Sequence, residues 1–317
     1  MILSHILLPS LVHGIDLVGL GLLIGNLVFR TLVLFPTNGR RSRLEHSLPF
    51  FLILIGLSDL LLGSQMMSGR PLAEVWAFVP TVLLKSHFGK VWIARTILLS
   101  VLCMIFTIAK SERFALAISG LLLLTTSLSS HAADSGDFSF LVLAAWLHLL
   151  AASAWIGGLF FLASMLRNWI TSQRLEPITQ SHITSLKRFF ALAGVSVILI
   201  LVTGSYQAWN QVGSLDALLQ TAYGQTLLLK LLLTLPFFAL SALMHYHYLP
   251  KLSQSALLQS VTPVEEARKL FNRMTLEIGL GLAIIACAAL LMQQPSARAE
   301  WNSPYKVSGH SAAHSSH

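Results

Sequence analysis

The chain has 317 residues, of which 55% are hydrophobic and 11% are charged, and its formal net charge is +8. Soluble domains carry about 25% charged residues, so this composition excludes an ordinary soluble protein and indicates an integral membrane protein. The two cysteines, Cys103 and Cys287, lie far apart within apolar runs, which predicts neither a disulfide framework nor a zinc site. The basic residues lie in short loops, where positive charge sets membrane orientation, so we expect no nucleic-acid partner.

Apolar runs of about 20 residues, the length needed to cross a bilayer, follow one another along the chain. They predict an all-α class: a polytopic membrane helix bundle of about eight transmembrane helices embedded in the lipid bilayer. The predicted spans lie near residues 8–33, 47–68, 89–109, 114–131, 138–166, 186–209, 225–249 and 274–293.

Loop charge predicts the orientation of these helices. Most of the lysines and arginines lie in the loops that follow the odd-numbered helices, whereas loops 131–137 and 210–224 contain none. Cytoplasmic loops are enriched in basic residues, so both termini are expected outside. For a bacterial chain, this predicts a multi-pass protein of the inner membrane with periplasmic termini.

The two halves of the chain resemble each other. Three pairs of similar residues are each separated by 135 positions, which predicts two parallel four-helix repeats, with sites expected where the repeats meet. The predicted units are a first repeat at 1–133, a second repeat at 134–295 and a flexible, histidine-containing periplasmic tail at 296–317. The three pairs are His13 and His148, Gly89 and Gly224, and Arg95 and Lys230.

Glycines predict where helices approach closely. Gly21 and Gly25 lie four residues apart in helix 1, a spacing typical of close helix packing in membranes. Gly157 lies on the face of helix 5 opposite His148. We expect these glycines to pack against neighbouring helices, which leaves the His148 face available for a ligand.

Histidines and methionines gather at the predicted outer ends of the helices. Imidazole and thioether together suit copper, especially Cu(I), and predict an outer copper site. Each residue also has a structural explanation, because histidines near helix ends are commonly hydrogen bonded and methionine fills gaps in packing. The shared depth and the repeat favour the histidines. The candidate ligands are His13, His131, His148, Met66 and Met67.

Four charged residues lie more than one turn inside the predicted helices, where charges are costly and are functional or paired. Asp16 follows His13 by three residues, so the two share a helix face, and the carboxylate is expected to orient the imidazole. Asp59 lies near the middle of its helix, with Arg95 as a plausible partner. Lys230 has no acidic mate in its own half, although Asp16 is available across the repeat interface.

Polar residues at the predicted inner ends are expected to be structural. Glu277, at the inner start of the last helix, is expected to reach water. His245 and His247 are two residues apart, so on a regular helix they point in different directions and cannot share a metal ion.

The assembled landmarks resemble the copper resistance protein D (CopD) family over most of the chain. The matching motifs are "SSHAAD", "WLHLLAASAWIGGL", "TAYGQTLLLKLLLTL" and "RMTLEIGLGLAIIACAALLMQQP". The resemblance implies an inner-membrane protein of copper handling that passes copper towards the cytoplasm and works with a small periplasmic copper-binding protein. His131 and His148 fall on family landmarks, whereas His13 is supported by the repeat. The stretch "LMHYHYLP" departs from the family pattern.

Two functions from different classes remain open at this point, beside a scaffold with structural histidines only. The first is a copper-binding and copper-translocating membrane protein serving copper resistance and homeostasis, which is not an enzyme. The second is a haem-dependent membrane oxidoreductase in which His13 and His148 are the axial ligands of haem b, an arrangement typical of cytochromes.

Overall fold

The computed structural model describes residues 2–34, 43–109, 111–171, 180–257 and 264–303. These residues form helices and connecting turns without a β-strand, which confirms the all-α class. The α-helices are α1 (Ile2–Val28), α2 (Arg43–Ser68), α3 (Val79–Lys85), α4 (His87–Met104), α5 (Glu112–Leu128), α6 (Phe140–Ala152), α7 (Gly158–Thr171), α8 (Gln180–Val212), α9 (Leu215–Gln220), α10 (Ala222–Leu243), α11 (Leu249–Leu257), α12 (Val264–Gln293) and α13 (Ala297–Trp301).

Seven helical spans in the described residues are long and apolar enough to cross a membrane. Some consist of two α-helices joined by a π-helical turn: α6 continues through Ser153–Gly157 into α7, and α10 continues through Met244–Tyr248 into α11. The predicted crossing at 114–131 coincides with α5, which has 17 residues. That length is about 26 Å, slightly less than the hydrocarbon thickness of about 30 Å. The eight-crossing topology therefore stays a prediction.

Helix α1 crosses the α6–α7 span at glycines. A Cβ atom on Gly25 would collide with the backbone of Gly157, and a Cβ atom on Gly157 would collide with the carbonyl of Gly21. The missing side chains let the two helices touch along their backbones. The predicted role of these glycines in close packing is confirmed.

The two halves share a local motif at matching positions. The hydroxyl of Ser86, before α4, accepts a hydrogen bond from the Gly89 amide (2.9 Å), and that of Thr221, before α10, accepts one from the Gly224 amide (3.0 Å). Each hydroxyl also donates to the carbonyl four residues before it. Both motifs cap a helix N-terminus and lie 135 residues apart. They support the repeat, while the domain boundaries at 133 and 295 stay a prediction.

The two largest apolar clusters of the described residues, one centred in each half, form most of the core. The first surrounds Leu20 and Leu122, and the second surrounds Trp155 and Phe189. The polar groups described below lie among these clusters.

The first residues of the predicted tail form α13, which packs against α8 and α9. Ala297 is buried there, and Arg298 donates a hydrogen bond to the carbonyl of Trp209 (3.3 Å). The tail histidines, His310, His314 and His317, lie outside the described residues.

Candidate functional site: a polar cavity in the first half

A cavity of about 30 Å³ lies between α1, α2, α4 and α5. This volume has room for water or a single ion. Four of its lining residues are titratable: His13, Asp16, Asp59 and Arg95. The sequence singled out each of these residues, and the structure brings them together.

An ion pair forms one wall of the cavity. Arg95 Nη2 donates to both carboxylate oxygens of Asp16, at 2.6 and 2.7 Å, and Arg95 Nη1 donates to the hydroxyl of Thr126 at 2.9 Å. These bonds fasten α4 to α1 and α5. The sequence suggested Asp59 as the partner of Arg95 and His13 as that of Asp16. In the structure the guanidinium of Arg95 binds both oxygens of Asp16, while Asp59 interacts with Arg95 only electrostatically.

His13 and Asp59 both line the cavity with polar atoms that form no hydrogen bond in the described residues. His13 Nε2 is buried and has no hydrogen-bond partner among the described residues. Asp59 interacts electrostatically with His13, Asp16 and Arg95, but makes no hydrogen bond in the part of the chain that the structure describes. With one arginine and two aspartates among the lining residues, the cavity carries one excess negative charge when His13 is neutral. This combination favours a bound cation.

Two aromatic rings of α4 enclose the cavity towards α2. Trp92 Nε1 donates to the carbonyl of Gly56 (2.7 Å). The ring of Phe88 lies where a Cβ on Gly63 would be, with its Cε1 only 2.8 Å from that position. Sequence reasoning missed these aromatic residues, although glycines seven positions apart on one face of α2 were a signal for closely packed rings.

His148 lies in a different environment, facing α8 and α10. The Thr203 hydroxyl donates to the carbonyl of Leu199 (2.5 Å), so it accepts a hydrogen from His148 Nδ1 (3.1 Å) and leaves His148 Nε2 with the free lone pair. Lys230 lies close enough to interact electrostatically with both His148 and Cys287. No carboxylate pairs with Lys230 among the described residues. Lys230, the counterpart of Arg95, therefore contributes an unpaired positive charge beside His148. The cavity beside His13 carries an excess negative charge instead.

His131 and His87 lie at the predicted outer end and are engaged in hydrogen bonds. His131 Nε2 donates to the carbonyl of Gln294 (2.7 Å), and His131 Nδ1 lies 3.4 Å from the Asp134 carboxylate. His87 Nε2 donates to the carbonyl of Leu128 (3.1 Å). A carbonyl only accepts hydrogen bonds, so neither Nε2 atom is available to a metal in this conformation.

No metal-binding cluster of the described residues joins the five predicted ligands. Met66 and Met67 are 62% and 51% exposed near the end of α2, and within the described ranges no three His, Cys, Asp or Glu side chains are placed to hold one metal ion. His13 and His148 face different helices, and the cavity beside His13 is far smaller than the 300–1,000 Å³ typical of pockets for organic ligands. A common site of His13, His131, His148 and the methionines stays a prediction, and no observation favours haem.

The structure corrects the expectation for Glu277. Its side chain is fully buried in α12 and does not reach water. His245 lies in the π-helical turn Met244–Tyr248, so the argument from a regular helix does not apply to it.

The fold and the cavity define a multi-pass membrane protein with a polar, negatively charged chamber inside its first half. The family profile described as copper resistance protein D-like, N-terminal domain, matches residues 8–139, and that of copper resistance protein D matches residues 183–291. The chain belongs to the copper resistance protein D family.

A curated relative is the copper transport protein CutJ of Bacillus subtilis (strain 168), which is 26% identical over 229 residues. The match covers 69% of this chain and 39% of the relative, so it spans about two-fifths of the relative's length. No solved structure matches the chain.

Proposed function

We propose that this chain is a copper-handling membrane protein and that the cavity of the first half binds copper during its passage into the membrane. Family membership and the name of the relative support copper as the cargo. The observation that carries the proposal is the buried, unpartnered Nε2 of His13, which lies beside the unpaired carboxylate of Asp59.

The chemistry of the cavity suits a copper ion. His13 supplies an imidazole nitrogen, a ligand that copper binds well, and Asp59 supplies a negative charge that offsets the loss of hydration. Asp16 is occupied by Arg95, so this pair positions the wall and does not bind the metal. The excess negative charge of the cavity attracts a cation, whereas Lys230 beside His148 repels one. We therefore propose His13 as the main copper ligand and His148 as a weaker candidate.

A path to the cavity leads along α2. Met66 follows Asp59 by seven residues, so both lie on the same face of the helix, about 10 Å apart along its axis. Met66 and Met67 are exposed at the predicted outer end. We propose that their thioethers receive Cu(I) and deliver it past the ring of Phe88 to His13.

The membrane setting belongs to the same proposal. The charge of the loops supports an inner-membrane location with both termini in the periplasm, so the methionines and the cavity would open to that side. A small periplasmic copper-binding protein is then the expected donor. The 317-residue sequence contains no ATP-binding motif, so copper would move from the donor to the cavity by exchange of its ligands.

The test measures Cu(I) binding to the purified full-length chain, without oxygen, against a competing Cu(I) chelator. Replacing His13 by Ala removes the proposed ligand and is expected to raise the dissociation constant more than the 10–100-fold loss typical of residues that only support a ligand. His87→Ala is the matched control, because His87 lies at the same end and is expected to leave copper binding unchanged. Unaltered binding in His13→Ala would overturn the proposed site.

A further inference from the structure

Glu277 is an unusual residue in the core of the second half. It lies 13 residues inside α12, a helix that packs against α1, α7 and α10. Its side chain is 0% exposed, and neither carboxylate oxygen has a hydrogen-bond partner in the described part of the chain. The Ser241 hydroxyl of α10 faces the carboxylate without forming a bond of normal geometry. A buried charged carboxylate in such a place is costly unless it is paired, so Glu277 either holds a proton or pairs with a cation.

Contacts between α10 and α12 show which residues of α10 lie at the same depth in the bundle as Glu277. Gly281, one turn after Glu277, lies against the ring of Phe237, since a Cβ at Gly281 would be 3.4 Å from Phe237 Cε2. Ser241, one turn after Phe237, faces Glu277. The two helices therefore run in opposite directions with this register. One further turn brings the end of α10 level with Met274, which precedes Glu277 by three residues and shares its helix face.

Soft donor groups occupy that next level. Met244 and Met274 are both 0% exposed and belong to the same buried cluster. His245 follows Met244 in the chain, its ring lies edge-on to Phe190 of α8 with the ring centroids 5.5 Å apart, and its buried Nδ1 has no hydrogen-bond partner among the described residues. Both residues lie in the π-helical turn Met244–Tyr248, which interrupts the span α10–α11. Such turns occur frequently at functional sites because they redirect side chains.

Packing explains two buried methionines but does not explain the unpartnered carboxylate of Glu277 or the unpartnered Nδ1 of His245. We propose a second Cu(I) site, the inner copper site, which lies towards the predicted inner ends of the helices. Its residues are Glu277, Met244, Met274 and His245. Thioether and imidazole ligands select Cu(I), and the carboxylate neutralises its charge in a place without water. This inference rests on the proposed function, because it takes copper as the cargo.

The inner copper site predicts the stoichiometry of copper binding. The full-length chain, titrated with Cu(I) against a competing chelator, is expected to bind two equivalents. Glu277→Gln keeps the size of the side chain but removes its charge, and is expected to bind one equivalent. Glu265→Gln is the matched control, because Glu265 lies on the same helix and pairs with Lys269 at the surface. Two equivalents in Glu277→Gln would overturn the inner site.

The same titration distinguishes failure of the inner site from failure of the proposed function. His13→Ala is expected to bind one equivalent, and His13→Ala combined with Glu277→Gln none. If His13→Ala binds as many equivalents as the unaltered chain, the cavity of the first half is not a copper site. If the unaltered chain binds no Cu(I), both proposals fail together.

X-ray absorption of the bound copper supplies a readout that does not depend on Glu277. In His13→Ala, the single bound copper is expected to show sulfur scattering from Met244 and Met274. Replacing both methionines by Leu, which preserves apolar volume, is expected to remove that scattering. Persistent copper–sulfur scattering in this variant would overturn the assignment of the ligands.

Discussion

Asp16→Asn and Asp59→Asn make the same chemical change at the two aspartates of the first-half cavity, but we expect only Asp16→Asn to lower the free energy of unfolding substantially. Both oxygens of Asp16 are held by Arg95 at 2.6 and 2.7 Å, and the paired side chains are only 9% and 12% exposed. Breaking one partner of a buried ion pair costs about 3–5 kcal/mol. We place Asp16→Asn near 3 kcal/mol, because Asp59 remains nearby to interact with Arg95.

Asp59→Asn breaks no hydrogen bond of the described residues, and the attraction of Asp59 to His13 and Arg95 that it removes is offset by the loss of the repulsion from Asp16. We expect its free energy of unfolding to change by no more than about 0.5 kcal/mol, as for substitutions that break no specific interaction. Copper binding should fall instead. A unit charge 4 Å from a cation contributes about 4 kcal/mol at an effective dielectric constant of 20, so the loss of affinity is at most about 1,000-fold.

Reversible unfolding in detergent and Cu(I) competition, run on both variants, measure the two effects separately. Asp59→Asn should unfold like the unaltered chain and bind copper weakly, whereas Asp16→Asn should unfold clearly earlier. Equal destabilisation by the two variants would refute the assignment of Asp16 as the structural carboxylate and Asp59 as the functional one.

Three further changes, the first with a control substitution, test how the helices pack. Gly157→Ala forces the α6–α7 span away from α1 and should lower the free energy of unfolding by at least the 1–3 kcal/mol typical of an overpacked core. The control is Gly279→Ala, whose added Cβ meets no neighbour within 4 Å and which should be neutral or stabilising in thermal unfolding. Phe88→Ala should open the cavity and speed the modification of His13 by diethyl pyrocarbonate, measured by mass spectrometry of its peptide; an unchanged rate would contradict the role of this ring as a barrier. Trp92→Phe loses one hydrogen bond to the α2 backbone and should lower the free energy of unfolding by about 1 kcal/mol. A variant that loses copper binding but keeps its stability would contradict the structural role of Trp92.

Periodicity and charge predicted the parts of the site that depend on one helix. The three-residue spacing of His13 and Asp16 placed both on one face, and both line the cavity. The glycines of helix 1 and Gly157 marked a close crossing, which the structure shows. In each case the periodicity of a single helix determines the direction of the side chain, so the sequence carries the information.

Pairings between helices could not be predicted in the same way. Arg95 could pair with either of two aspartates in its own half. The rotation of α1, α2 and α4 about their axes determines that its hydrogen-bonded partner is Asp16. Glu277 was misjudged because its depth was estimated from the start of the apolar run, while the helix begins earlier, at Val264. His245 was judged on a regular helix, and the π-helical turn that contains it has no clear sequence signal.

The location of bound copper tests the central claim most directly. Crystals of the full-length chain loaded with Cu(I) and measured at the copper absorption edge would give an anomalous difference map. We predict a peak in the first-half cavity, within bonding distance of His13 Nε2 and on the side of Asp59. Copper peaks elsewhere, with none in this cavity, would contradict the account.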